Sequence, residues 1–181
     1  MSISPLEMFF SSATHYYTVG RFAAFTRLAP VVGNLLHHAI EMYLKGGLSE
    51  TKTLAELKTL SHDLPGVWSA FKVEFPDPSL AQFDGTITAL HMFEELRYPD
   101  SVLAKGMACR VSIKRSPATA GAAGATTSFP QYDLCLEDID ALVAAIFKVV
   151  SVNPQFFTGG LSGPARQWLK EENGEGGLTT G

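Results

Sequence analysis

The chain has 181 residues, enough for one domain with a substantial core. Hydrophobic residues make up 46% and charged residues 18%, with twelve Phe, which excludes a generically disordered chain. The formal net charge of -4 lacks the basic footprint of non-specific DNA binding, no apolar run reaches the roughly 18 residues of a membrane span, and no charged segment leads an apolar one as in a secretion signal, so a cytoplasmic setting is expected.

In chain order, Leu6, Phe9, Phe10, Ala13, Tyr17, Ala24 and Leu28 repeat at three and four and predict a first helix over 4–27, opened by Ser4 and Pro5. The lone Gly20 inside it marks a close helix crossing. Pro30 opens a second helix that Gly46 and Gly47 close, and so short a link sets the two helices antiparallel. On a wheel of about 100° per residue, Asn34, His37, His38, Glu41 and Lys45 fall on one narrow arc and the remaining positions are almost all apolar. That is a central helix packed on several sides around one polar seam.

A short helical piece, LAELKTL, leads to a helix carrying Leu64, Val67, Trp68 and Phe71, with Ser61 or Asp63 as N-cap. Residues 79–96 place Leu80, Phe83, Ile87, Leu90 and Phe93 on one helical face, which brings Glu94 and Arg97 inward toward the seam. The run of small residues over 116–128 reads as a mobile loop, and the stretches MACRVSIK and FPQYDLC as a possible small ribbon across it. Residues 137–152 are strongly amphipathic, with acids in the first turn, and the Gly-rich remainder holds at most a short helix around ARQWLKEE. The expected architecture is all-α: an antiparallel bundle of four to five main helices over 1–158, a flexible insert at 105–130 and a Gly-rich tail at 159–181.

The seam carries the only clustered titratable chemistry. His37 and Glu41, one turn apart, suit a proton-transfer pair or two ligands of a metal, or else a structural hydrogen-bonded pair or a partly solvated stripe. One seam offers too few ligands for a metal, Cys109 and Cys135 lack ligand spacing, and no phosphate loop, GxSxG or paired CxxC occurs, so no metal and no cofactor is expected. Asp63 suits a helix cap; His62 beside it has no such role and stays a candidate. Arg97 suits bidentate phosphate recognition or a tie to a carboxylate such as Glu94.

Three pieces, LLHHAIEMYLKGGL, LKTLSHDL and FEELRYPD, in this order and spacing resemble the HEPN domain family (higher eukaryotes and prokaryotes nucleotide-binding). In that resemblance His62, Asp63, Leu64, Arg97, Tyr98 and Pro99 hold typical positions, with Glu41 and Lys45 matching the second helix. The resemblance covers about 8–100, and 136–152 resembles the family's last helix. It implies a helical bundle, often a homodimer, found beside nucleotidyltransferases, in toxin–antitoxin and defence systems, and in some RNases. Active RNases of the family carry an Arg separated from a following His by four to six residues, usually in the last long helix, and no Arg here is so placed. The expectation is therefore a non-catalytic domain that binds a nucleotide, RNA or a nucleotidyltransferase partner through His37, Glu41, Lys45, His62, Asp63 and Arg97. The alternatives are a metal-independent RNase using His37, His38, His62 and Arg97, and a structural dimerisation module.

Overall fold

The computed structural model describes residues 3–26, 28–97, 100, 103–104, 106–114 and 130–172. These residues are mainly helical, with one two-stranded sheet among them. Helix α1 (Pro5–Phe25) starts at Ser4, where the Ser4 side chain accepts from the Glu7 amide and the Glu7 carboxylate accepts from the Ser4 amide. This reciprocal pair satisfies two donors that a helix start leaves open. Helix α2 (Ala29–Leu48) runs back antiparallel to it: Phe10 near the start of α1 meets Tyr43 near the end of α2, with ring centroids 5.2 Å apart.

Gly46 and Gly47 do not close α2, contrary to expectation; the helix passes through both. A Cβ on Gly46 would lie 2.6 Å from the Phe10 ring, and one on Gly47 2.8 Å from Phe71, so these positions are bare because two neighbouring elements press on the backbone. Gly20 is bare for the same reason, 2.8 Å from Leu36, which makes it the crossing point expected of it. Val32, Leu36, Ala39, Ile40, Tyr43, Leu44 and Leu48 are all fully buried, so α2 is enclosed by the other elements.

Helix α3 (Leu54–Thr59) and helix α4 (Leu64–Glu74) follow. Asp63 stands at the N-cap of α4 but makes no capping hydrogen bond, and Ser61 instead takes a left-handed backbone at φ 53°. The single helix expected over 79–96 is three pieces: a 3-10 turn (Pro78–Phe83), α5 (Asp84–Met92) and a second 3-10 turn (Phe93–Arg97). Side chains three apart eclipse in a 3-10 turn. Leu80 and Phe83 are accordingly both buried, as are Phe93 and Leu96.

Strands β1 (Ala108–Ser112) and β2 (Gln131–Cys135) pair in parallel, with Ala108 opposite Gln131 and Ser112 opposite Cys135. A parallel pair, unlike a hairpin, cannot be joined by a tight turn. The loop expected over 116–128 lies outside the described residues, as do Tyr98 and Pro99. Helix α6 (Leu136–Val150) buries Leu136, Ile139, Leu142, Val143, Ile146 and Phe147, close to the face read from its period. Pro154 opens a short helix α7 (Pro154–Thr158), whose Phe157 joins Phe10 and Phe147 in an aromatic cluster. Helix α8 (Gly163–Glu172) lies in the stretch read as tail, yet Leu169 is fully buried and Trp168 meets the rings of Phe22 and Phe25 edge-on.

No helix among the described residues is long and apolar enough to cross a membrane.

Candidate functional site

The polar arc of α2 forms the floor of a cleft of about 310 Å³. Asn34, His37, His38 and Glu41 line it from α2, Tyr16 from α1, His62 from the turn before α4, and Glu94 and Arg97 from the second 3-10 turn.

Glu41 is the hub. Its side chain is 4% exposed, and its Oε1 accepts from Lys45 Nζ at 2.7 Å, one turn along α2. His62 Nδ1 lies 3.0 Å from Oε2. His38 Nδ1 lies 3.8 Å and His37 Nε2 4.0 Å from the same oxygen. Burial alone would raise the Glu41 pKa, but the surrounding His38, Lys45 and His62 donors outweigh it and hold the carboxyl down to about 2. Glu41 is therefore an anion at neutral pH, and its role is to fix the nitrogens around it.

Lys45 Nζ also donates to the Ser61 carbonyl at 2.5 Å. This second bond and the left-handed Ser61 backbone reverse the chain so that His62 turns back onto Glu41. A non-glycine residue in that region is uncommon, and here a charged hydrogen bond to its carbonyl accompanies it.

His37 is nearly sealed, and its Nδ1 lies 3.2 Å from the Leu90 carbonyl of α5. Burial lowers its pKa, which favours the neutral ring. His38 is one-third exposed and meets the Tyr16 ring edge-on, with centroids 4.5 Å apart. Arg97 Nη1 donates to Glu94 Oε1 at 2.9 Å, and the Arg97 side chain is 52% exposed. The eclipsed three-residue spacing of the 3-10 turn aligns this pair.

Of the candidates drawn from sequence, the cleft gathers His37, His38, Glu41, His62 and Arg97. Lys45 is not on its wall; it lies behind Glu41, committed to that carboxylate and to Ser61. Asp63 is exposed and does not line the cleft. Arg97 pairs with Glu94, the carboxylate offered for it by the sequence, and both line the cleft that Glu41 floors. Tyr16, with the apolar Val31 and Leu35, is a wall residue that the sequence candidates did not include. Adjacent aromatics on one helix point about 100° apart, so with Tyr17 in the core its neighbour Tyr16 had to face elsewhere.

A second polar cluster, also unforeseen, joins α1 to α6. Arg21 is 1% exposed and pairs with the Asp140 carboxylate, which also accepts from the Tyr17 hydroxyl.

No family model matches the chain, and neither a curated protein nor a solved structure matches it.

Proposed function

We propose that the cleft binds a phosphorylated ligand, a nucleotide or a stretch of RNA, in a HEPN-like domain that holds the ligand without cleaving it. The observation that carries this is the convergence of His38, His62 and Arg97, from three separate elements, on a cleft whose buried carboxylate is already matched by Lys45. An anion entering the cleft meets the half-exposed Arg97 guanidinium at the rim, a group suited to phosphate. The exposed Tyr16 ring offers a wall against which a base stacks. The HEPN resemblance points to the same ligand class, and it extends the proposal to a nucleotidyltransferase partner in a toxin–antitoxin or defence setting.

The test is calorimetric titration of the full chain with ATP, with GMP and with a short single-stranded RNA. Arg97→Ala should weaken binding by about tenfold or more while the melting temperature stays nearly unchanged, because an exposed ion pair contributes only about 0.2–1 kcal/mol. Absence of binding by all three probes, or binding indifferent to Arg97→Ala, overturns the proposal.

One observation favours the RNase alternative. The Glu41 carboxylate contacts His62 Nδ1, the way a carboxylate orients an imidazole whose other nitrogen then transfers protons. Incubation with mixed RNA in the presence of a chelator separates the readings: cleavage lost in His62→Ala supports the enzyme, and intact RNA supports the binding domain.

A further inference from the structure

Three imidazole nitrogens lie within 4.0 Å of one carboxylate oxygen on the cleft floor. Around Glu41 Oε2 lie His62 Nδ1 at 3.0 Å, His38 Nδ1 at 3.8 Å and His37 Nε2 at 4.0 Å. Ligand atoms of His38, Glu41 and His62 all fall within 4.8 Å of one another. Zinc bonds of about 2.0–2.1 Å in a tetrahedron place neighbouring donors about 3.3 Å apart, so only modest turns of the two partly exposed imidazoles close the set.

His37 supplies an independent sign of an occupant. Its side chain is 3% exposed, and its Nδ1 faces the Leu90 carbonyl, which only accepts. Its Nε2 is buried and has no hydrogen-bond partner among the described residues. That nitrogen looks across 4.0 Å at Glu41 Oε2, which already has His62 Nδ1 beside it at 3.0 Å. A buried polar atom left without a partner costs free energy, and a hydrated metal ion held at Oε2 supplies one.

We propose that His38, Glu41 and His62 form a binding site for a divalent transition-metal ion of the zinc class, with the unpartnered His37 nitrogen at its inner side. Two imidazoles and one carboxylate select zinc, cobalt or nickel over magnesium and calcium, which take oxygen ligands. Lys45 strengthens the assignment: it holds Oε1 and so presents Oε2 to the imidazoles, as outer partners do for metal-binding carboxylates. The site escapes a reading of α2 alone because its third ligand, His62, arrives from the Ser61 turn. The ion's remaining position opens on the cleft, where an anion can complete it, but binding of the ion does not rest on the nucleotide reading.

The experiment uses tag-free full chain, stripped with a chelator and titrated with zinc chloride by calorimetry and with cobalt chloride by visible absorption, no nucleotide present. The expected result is uptake of about one ion per chain at about micromolar affinity or tighter, with cobalt bands of a low-coordinate nitrogen and oxygen site. His62→Ala, on a side chain 61% exposed, should weaken uptake by about tenfold or more while the metal-free chain still unfolds cooperatively. His15→Ala, an exposed histidine outside the cleft, should leave uptake unchanged. No stoichiometric uptake of either metal, or uptake undiminished in both His62→Ala and His38→Ala, overturns the site. Zinc uptake without nucleotide or RNA binding upholds the site and counts only against the ligand proposed above.

Discussion

At the scale of single residues, Glu41 ties the cleft to pH. Its folded pKa, held down to about 2, lies below the ordinary 4.5. A carboxyl depressed on folding contributes stability that is fully present above its unfolded value and is lost as pH falls through the folded one. For metal-free protein, denaturant unfolding should show this contribution, on the order of 2–3 kcal/mol, disappearing between about pH 4.5 and pH 2. The difference between wild type and Glu41→Gln isolates it; parallel stability curves for the two across that window would show that Glu41 is not the group responsible. Arg97 behaves oppositely. Its partner Glu94 is one-third exposed, so truncation abandons no buried charge, and the loss should register in ligand binding alone.

At the scale of elements, packing overrode local signals. Gly46 and Gly47 carry a helix-ending signature in sequence, and only the nearness of Phe10 and Phe71 shows why small residues stand there. The same cause governs Gly33, beside the cleft residue Asn34. A Cβ at Gly33 would lie 1.9 Å from Phe93, a fully buried ring of the second 3-10 turn. Gly33→Ala should cost roughly 1–3 kcal/mol by urea denaturation, and an unchanged midpoint would mean that the turn moves away without penalty. The arc of Asn34, His37, His38, Glu41 and Lys45 was legible because α2 is regular, and its 3.6-residue period converts spacing directly into direction. The break of residues 79–96 into 3-10 and α pieces was not legible, because spacing alone gives no sign of where an α-helix tightens into a 3-10 turn. The parallel pairing of β1 and β2 was not legible either, since two weakly alternating stretches carry no information on relative direction.

At the scale of the whole molecule, two features remain: how the body is tied together and what its outer face does. Arg21 and Asp140 link α1 to α6 through a nearly sealed ion pair. Removing the cation leaves a carboxylate and the Tyr17 hydroxyl facing an emptied site, and Arg21→Ala should cost about 3–5 kcal/mol in thermal or denaturant unfolding. A loss below about 1 kcal/mol would show that water replaces the guanidinium. The wide apolar arc of α2 is mostly consumed inside the fold, but Val19, Phe22, Leu28 and Val31 remain about half exposed on α1 and at the start of α2. We propose that copies of the chain meet on this face. Sedimentation at tens of micromolar should give a dimer that Val19→Glu dissociates, and a wild-type monomer would argue against the contact.

The Arg21–Asp140 pair also has a consequence in time. Its two ends are 119 residues apart, whereas α1 and α2 are joined by a link of a few residues, and Glu41 and His62 by 21. Contacts between near neighbours in sequence form early, while those that close a long span of chain wait for the intervening segments. The α1–α2 hairpin and the floor of the cleft should therefore be in place in the folding transition state, and the clasp onto α6 should close after it. Stopped-flow measurements on Arg21→Ala should then show folding at nearly the wild-type rate and markedly faster unfolding. Such a variant would assemble its cleft on schedule and fail to keep it.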